Sequence, residues 1–519
     1  MVQETTARIF SELNTEEKKN WFDLKQKKFL HQIDTFYYSV KLKNDFTKES
    51  SDPACLALRR YFADKIDRTS FTDDYETFFC KGMDAPLNIR PKVFEYFYDI
   101  DLECPQLFDI FIANRVPVSE DGVTSVTPEI IVQLRSELLW QYGVTKAFEY
   151  SFHYVEVFCS HFNLTINEVK ENRADYCWHS NYLQNPEKFF RVDKFMKMQV
   201  SRFRHFNFHV TPKPGDDEYE NDYIGIGKRG DKCFVRIYLK SKEVIQKGYK
   251  SWFLKEWFLN GLINRYDFYV YEKCYLLQNW NYLNKARLEW YLEYGRNERI
   301  KKDIRAILDG VTKPSEESIL KLADSLTPRV TLITNVEFQT SRKMSKSFIM
   351  DPRYDNSEKG VCRRVYDYMD SHAIIAEYLT DSVLRLVDRG TDSNKGRCEY
   401  CAFWKCLRST RLIDCKKPPK ELKLIREYNR NLNSQVVKKR ALSATISYSL
   451  YTKGIENTAT GFADAADLLC VLNDNDIEYM KRVKNKRRLQ LNSLLNSEPL
   501  DDLPEHTFCI VSNETGEIL

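Results

Sequence analysis

The stretch NDYIGIGKRGDKCFVRIYLKSKE, residues 221–243, decides the fold of this chain. It predicts a strand (DYIGIG), a tight basic turn (KRGD) and a second strand (CFVRIYLK), because two apolar runs flank a glycine-containing turn. Alternate side chains of a strand share a face, so the apolar residues of the second strand lie on one side. Arg236, Tyr238 and Lys240 project together from the other side.

A tyrosine between two cations has two interpretations. Cations favour the phenolate, which makes the oxygen of Tyr238 a better nucleophile, and they attract a phosphodiester. The same spacing also describes a sheet tyrosine with two solvated basic neighbours, which is the commoner arrangement. Spacing alone leaves both interpretations open.

The wider pattern, Y-I-G-x-G…F-V-R-I-Y-x-K-x-x-E, resembles the signature of the replication initiation factor family. That family includes initiators of Gram-positive rolling-circle plasmids, related filamentous-phage initiators and relaxases of some conjugative elements. Its members usually read Y-x-G-S…R-I-Y-D-K-x-x-E. Here Leu239 replaces the aspartate and Gly227-Lys228 replaces Gly-Ser. The resemblance covers roughly residues 150–290.

The resemblance implies a nicking-closing enzyme, a metal-dependent and sequence-specific tyrosine strand transferase that initiates rolling-circle replication. Tyr238 would attack the DNA and leave a 5′-phosphotyrosyl link beside a free 3′-hydroxyl. Arg236 and Lys240 would stabilise charge on the pentacovalent phosphate, and Glu243 completes the catalytic motif. A second transesterification would reseal the strand. Mg²⁺ or Mn²⁺ near Asp175 would polarise the scissile phosphate.

Candidate metal ligands come from two further segments. On a strand, Asp175 and His179 of R-A-D-Y-C-W-H share a face, and carboxylate and imidazole both suit Mn²⁺. The family typically has R-I-D-x-x-x-D here, so His179 takes the second acidic position. Downstream, R-Y-D matches the family's R-Y-E and adds Asp267 on a predicted strand. For His179, a hydrogen-bonded core histidine beside Trp178 is the alternative.

Four cysteines near the C-terminal third form a second candidate metal site. The ligands would be Cys398, Cys401, Cys406 and Cys415, and four thiolates suit a structural Zn²⁺ with no open position for water. Four unrelated reduced thiols are the alternative. Fourteen cysteines without an apolar leader indicate a reducing cytoplasm, which the resemblance places in a bacterial host cell.

The chain of 519 residues is too long for one typical core. We expect an α+β protein in which a central antiparallel sheet, the nickase domain, is flanked by helical N-terminal and C-terminal regions. Residues 1–145 are predicted to be mainly helical and are a candidate for DNA binding. Residues 146–312 would form the catalytic domain. Residues 313–519 hold the cysteine cluster and a basic helix at 481–495.

Net charge and apolar content limit the kinds of molecule that this protein is expected to bind. A net charge of +4 is mildly basic, so any nucleic-acid surface must be local. The absence of a run of about 18 apolar residues argues against a membrane partner. The resemblance implies DNA as partner, in the form of a replication origin with a hairpin or single strand, together with a host helicase and polymerase. Homodimers are common in that family.

Two other classes of function remain open. A primase-polymerase would use Asp99 and Asp101, which stand at strand spacing and suit a shared divalent metal, whereas the alternative is an acidic solvated strand edge. A non-catalytic regulator would bind origin DNA without forming a covalent adduct.

Overall fold

The computed structural model describes most of the first 412 residues and short pieces beyond them. The described parts are residues 14–47, 50–69, 76–90, 98–116, 127–212, 219–248, 250–350, 357–388, 394–412, 424–426, 444, 447 and 508–511. The predicted basic helix at 481–495 and Cys415 lie outside these parts.

The chain folds into two compact units. The larger unit consists of Met1–Ser345, Asp355–Pro419 and Asp502–Leu519, and the smaller of Lys346–Tyr354 and Lys420–Asp501. The described part of the smaller unit holds an antiparallel pair of short strands, Phe348–Met350 and Leu424–Arg426.

The strands, in chain order and including the two of the smaller unit, are β1 Lys27–Leu42, β2 Thr77–Phe78, β3 Leu87–Arg90, β4 Ile100–Cys104, β5 Phe108–Ile112, β6 Ile130–Leu134, β7 Ile166–Ser180, β8 Gln199–Ser201, β9 Phe206–Pro212, β10 Tyr219–Ile226, β11 Cys233–Leu239, β12 Thr334–Thr340, β13 Phe348–Met350, β14 Leu384–Leu386, β15 Leu424–Arg426 and β16 Phe508–Val511.

The α-helices are α1 Thr15–Asn20, α2 Pro53–Thr69, α3 Ser136–Tyr142, α4 Val144–His161, α5 Pro186–Phe189, α6 Val192–Met198, α7 Lys240–Lys247, α8 Trp252–Leu259, α9 Arg265–Leu276, α10 Leu283–Tyr294, α11 Glu298–Leu308, α12 Glu316–Leu326, α13 Arg342–Ser345, α14 Arg363–Asp370, α15 His372–Tyr378 and α16 Ala402–Ser409. Short 3₁₀ segments at Trp280–Tyr282, Ser357–Cys362 and Lys395–Arg397 and a π-helical turn at Leu379–Val383 complete the elements.

One large antiparallel sheet organises the larger unit. Its strand order is β2-β3-β4-β5-β6-β1-β7-β12-β11-β10-β9, and β16 pairs with the start of β1. Strand β8 pairs separately with β14. The protein is therefore α+β, as predicted, with the β10–β11 hairpin near one end of the sheet.

The predicted domain boundaries are wrong in two places. Residues 1–145 are not mainly helical, because the described residues there include β1 to β6, which belong to the same sheet as the hairpin. β1 pairs with β7 over most of its length, so 145/146 is not a boundary between domains. The predicted catalytic region ends at residue 312, yet β12 lies between β7 and β11.

Helices cover both faces of the central strands. On one face, Phe148 of α4 packs against Tyr38 of β1, and Tyr368 of α14 meets the hydroxyl of Tyr176 on β7. On the other face, Trp140 of α3 joins Phe253 and its neighbours on α8 in a buried aromatic cluster. This second helical layer borders the polar side chains described below.

Candidate functional site

Two rows of side chains cross the face of the sheet that carries Tyr238. Residues directly opposite each other in an antiparallel ladder lie on the same face. One row runs from His179 on β7 through Asn335 on β12 to Tyr238 on β11. The next row runs from Cys177 through Glu337 to Arg236. β12 thus joins the two predicted motifs into one polar face.

The hydroxyl of Tyr238 lies at the centre of this face. It donates to Glu337 Oε2 at 3.0 Å and accepts from Asn335 Nδ2 at 3.1 Å and Lys240 Nζ at 3.3 Å. Arg236 pairs with the other oxygen of Glu337. Tyr238 is only 8% exposed, whereas the side chain of Arg236 retains 24% of its exposure. The site is therefore open to solvent on the Arg236 side.

Tyr238 is a phenol at neutral pH, contrary to the expectation that the two cations would favour the phenolate. Burial raises the pKa of Tyr238 well above its ordinary value, and the negative charge of Glu337 adds to the rise, while Lys240 and Arg236 oppose it. Reaction at this oxygen therefore requires a base. The carboxylate of Glu337 already accepts a hydrogen bond from this hydroxyl.

Lys240 and Glu243 form a buried ion pair next to the Tyr238 hydroxyl. Lys240 is completely buried and pairs with Glu243 at 2.9 Å and with Asp34 of β1 at 3.8 Å. Burial lowers the pKa of Lys240, but the surrounding carboxylates outweigh burial and raise it well above its usual value. Glu243 also pairs with Lys247 and Lys250. Lys240 links Glu243 to Tyr238, because it contacts both residues.

Asp175 stands beside Glu337 and is held by two donors. Arg173 Nε donates to Asp175 Oδ1 at 2.9 Å, and Gln339 Nε2 donates to Asp175 Oδ2 at 3.4 Å and to Glu337 Oε1 at 3.2 Å. The ion pair with Arg173 favours the charged carboxylate, but burial outweighs it. Burial, with repulsion from Glu337, raises the pKa of Asp175 to about 6. The two carboxylates therefore lie close enough to influence each other.

The raised pKa predicts a pH effect on stability. Between 3.8 and about 6, the folded protein binds a proton at Asp175 that the unfolded chain releases. Stability from this group is thus present below pH 3.8 and is lost as pH rises through about 6. Relative to the Asp175→Asn variant, the wild type should lose up to about 3 kcal/mol of unfolding free energy over this window. Urea denaturation at a series of pH values measures the difference.

Asp193 provides the matched control, because it also pairs with an arginine two residues earlier, but on the surface. Its pKa is lowered by the hydrogen bond from Arg191. Asp193→Asn should therefore leave the slope between pH 4 and 6 unchanged. An Asp175→Asn variant with the wild-type slope would contradict the raised pKa.

The position of His179 argues against its predicted role as a metal ligand. Its Nδ1 accepts a hydrogen bond from Trp257 Nε1 at 3.1 Å, and its ring stacks on Trp140. Burial lowers the pKa of His179 well below its ordinary value, so the ring is neutral and carries its proton on Nε2. Neither nitrogen then offers a free lone pair, and the alternative of a core histidine fits better.

Asp267 caps the start of a helix, a role that the sequence interpretation missed. The segment predicted as a strand is helix α9, and Asp267 is the third residue of its capping box with Asn264. The second carboxylate oxygen accepts from the backbone N–H of Thr331 at 2.9 Å. Both oxygens thus hold backbone groups.

The predicted metal ligands that lie in the described parts do not gather in one place. Among the described residues, no group of three or more His, Cys, Asp or Glu side chains is arranged to hold a metal ion. Cys401 and Cys406 are buried, whereas Cys398 is partly exposed. The three described thiols of the predicted zinc site therefore do not form a cluster, and Cys415 lies outside the described parts.

The carboxylates of the primase interpretation lie in a charge network on β3, β4 and β5. Arg90 pairs with Asp101 and Glu103, and Arg135 pairs with Glu103 and Asp109. Asp99 instead accepts a hydrogen bond from the backbone N–H of Asn114. Two arginines thus neutralise the acidic face, which is the role expected of a structural ion-pair network.

Glu337 and Asn335 are the site residues that sequence reasoning missed. The segment TNVEFQT alternates apolar residues with Asn335, Glu337 and Gln339, which is the pattern of a strand with one polar face. The period of two in this segment therefore predicts the strand. It does not predict that the strand lies between β7 and β11, because strand order in a sheet does not follow from local sequence.

A solved structure is similar to this chain. No protein-family model matches the chain, and no curated protein matches it in sequence. The chain is similar to the rolling-circle replication initiator protein from Geobacillus stearothermophilus, at 11% identity over 73% of this chain and 95% of that chain, with a TM-score of 0.31. Within the described parts, none of the helices has the length and apolar character needed to cross a membrane.

Proposed function

We propose that this protein is a DNA strand transferase of the rolling-circle initiator type, with Tyr238 as the nucleophile. The observation that carries the proposal is the position of the Tyr238 hydroxyl between Glu337, which accepts its proton, and Lys240, which donates to its oxygen. A general base beside a nucleophile and a cation beside the developing charge are the groups that phosphoryl transfer requires. The motif around Tyr238 resembles the family signature at the same residues.

In the proposed first step, Glu337 takes the phenolic proton while the Tyr238 oxygen attacks phosphorus. The bond from phosphorus to the 3′-oxygen breaks, and that oxygen takes up a proton to become a free 3′-hydroxyl. The 5′ end stays on Tyr238 as a phosphodiester. Arg236, at the exposed side of the site, faces the incoming phosphate and stabilises its charge. In the reverse step a 3′-hydroxyl attacks, and Glu337 returns the proton to tyrosine.

The divalent cation implied by the family resemblance would be held by Asp175 and Glu337 only in exchange for present partners, because Arg173 and Arg236 already pair with these carboxylates. Both supply hard carboxylate oxygens, and both are gathered by the amide of Gln339. These two residues, rather than His179 or Asp267, would hold Mg²⁺ or Mn²⁺. When bound, the ion would polarise a phosphate oxygen.

A regulator that binds DNA without cutting it is the second candidate. It is favoured by the three hydrogen bonds of the Tyr238 hydroxyl and by its 8% exposure, since a satisfied buried tyrosine can be purely structural.

The test compares the wild type with Tyr238→Phe on supercoiled DNA that carries the region around its own gene, in Mg²⁺ or Mn²⁺. We expect nicked circles with protein on the 5′ end, and mass spectrometry should place the nucleotide on Tyr238. Tyr238→Phe should form no adduct. Tyr366→Phe, which removes the hydroxyl that Tyr366 of α14 shares with Glu149 in the helical layer on the other face of the sheet, is the control and should keep the activity. Equal nicking by Tyr238→Phe would exclude Tyr238 as nucleophile, and DNA binding without any adduct would favour the regulator.

A further inference from the structure

The ring of Tyr223 lies next to the proposed nucleophile on the same face of the sheet. Tyr223 of β10 is directly opposite Tyr238 of β11, and their ring centroids are 6.3 Å apart. Unlike Tyr238, Tyr223 is only partly buried. An aromatic ring is therefore available to a ligand at the open side of the site.

Gly225 explains how this ring is placed. A Cβ atom at Gly225 would lie 3.1 Å from both Cε1 and the hydroxyl oxygen of Tyr223, and 3.3 Å from Cζ of Phe234. The ring of Tyr223 thus extends along β10 into the space that a side chain at Gly225 would fill. Phe234, which is buried, borders the same space.

Cations flank this part of the hairpin. Arg236 is directly opposite Gly225, the residue toward which the Tyr223 ring extends. Burial raises the pKa of the Tyr223 hydroxyl, while the charges of Arg236 and Arg229 act against the rise. Arg229 lies in the β10–β11 turn with Lys228, and Lys232 follows; all three side chains are exposed. Proteins that bind single-stranded nucleic acid combine cations for the backbone with aromatic rings for the bases.

We propose that Tyr223 is the stacking platform for a base next to the phosphate that Tyr238 attacks, and that the ligand of this face is single-stranded DNA. The atoms of Tyr223 that approach Gly225 are Cε1 and the hydroxyl oxygen, which belong to the edge of the ring, so Gly225 does not cover either face of the ring. Only an unpaired base offers a matching free face. The cations of the turn bind the phosphates that lead away from the site. This proposal rests on the proposed function, because it places the scissile phosphate at Tyr238.

The test measures binding rather than cleavage. In a Tyr238→Phe background, the full chain is titrated into a labelled single-stranded oligonucleotide of mixed sequence, and anisotropy gives Kd. Tyr223→Ala should weaken binding about tenfold, as expected for the loss of one base stack. Tyr223→Phe keeps the ring and should bind within about twofold of the parent. Equal affinity of Tyr223→Ala and Tyr223→Phe would overturn the proposal, as would failure of the parent to bind single strands.

A second variant moves the ring without deleting it. Gly225→Val places a side chain where the Tyr223 ring now lies, and it should lower affinity as much as Tyr223→Ala does. The double variant should bind no more weakly than either single variant, because both changes remove the same contact. Additive losses would show that Gly225→Val acts elsewhere, and would count against the placement of the ring. If Gly225→Val fails to fold, Gly225→Ala replaces it.

Oligonucleotides with one abasic position locate the stacked base. An abasic site at one position should weaken binding by the parent about tenfold and leave binding by Tyr223→Ala unaffected. If no position has this effect, the proposal is overturned.

The outcomes distinguish this inference from the proposed function. Stacking through Tyr223 without any covalent adduct would sustain the binding of single-stranded DNA at Tyr223 but refute strand transfer, and with it the position of a scissile phosphate at Tyr238. An adduct on Tyr238 with normal binding by Tyr223→Ala would do the reverse.

Discussion

Glu337→Gln is expected to slow formation of the tyrosine adduct by about 10²- to 10⁴-fold, the usual contribution of a general base. Glutamine keeps the shape of the side chain and its carbonyl oxygen still accepts hydrogen bonds, but the amide cannot take the proton of Tyr238. Because burial holds the pKa of Tyr238 well above its ordinary value, few molecules would carry the phenolate spontaneously. Single-turnover assays with a labelled DNA strand measure the rate.

The pH profile separates loss of a base from loss of structure. Without Glu337, the rate should keep rising with pH through about pH 9, because hydroxide must then ionise the phenol. A misfolded variant would stay slow at every pH. Glu129→Gln is the control, since Glu129 is a buried carboxylate that pairs with Lys41 and caps the backbone N–H of Leu42. It should cost stability and leave the rate of adduct formation unchanged. A wild-type rate in Glu337→Gln would contradict its role as base.

Lys240→Met is expected to lower the free energy of unfolding by about 3–5 kcal/mol, the cost of removing one partner from a buried charge cluster. The side chain of Lys240 is fully buried, and its loss leaves Asp34 and Glu243 without their shared cation. Urea denaturation followed by tryptophan fluorescence is suited to the measurement, because Trp140 donates to Asp34 and reports on this region.

Lys247→Met supplies the matched control. Lys247 pairs with the same Glu243, but its side chain is 52% exposed. The variant should change stability by no more than about 0.5 kcal/mol. Adding Asp34→Asn to Lys240→Met should recover part of the loss, because it removes one of the orphaned charges. A loss below about 1 kcal/mol in Lys240→Met would show that water reaches the cluster.

Local patterns predicted the hairpin well. The period of two in β11 placed Arg236 and Tyr238 on one face, and the same reasoning placed Asp175 on β7; both are confirmed. Lys240 follows as the first residue of α7, yet it still reaches the Tyr238 hydroxyl. These features depend on residues within about ten positions of one another, where alternation is a direct physical signal.

The role of β1 and the helix start at Asp267 were not predicted, for identifiable physical reasons. Strand β1 is buried on both faces for most of its length, so it shows no alternation and resembles a buried helix in sequence. Asp34 therefore gave no sign of its contact with Lys240. The R-Y-D segment was interpreted as a strand although Asn264 and Asp267 have the spacing of a capping box, which predicts a helix start.

The place of β12 in the sheet has a consequence for the order in which this protein is made. β7 and β11 carry the two motifs, but they do not pair with each other; β12 lies between them and is synthesised after both. A nascent chain therefore holds Tyr238 without Glu337, its proposed base, and with only β10 as a partner strand until about a hundred more residues have emerged. Chains stopped before Thr334 would expose the edges of two sheet fragments, which favours aggregation. The chemistry proposed for Tyr238 would thereby depend on completion of the sheet.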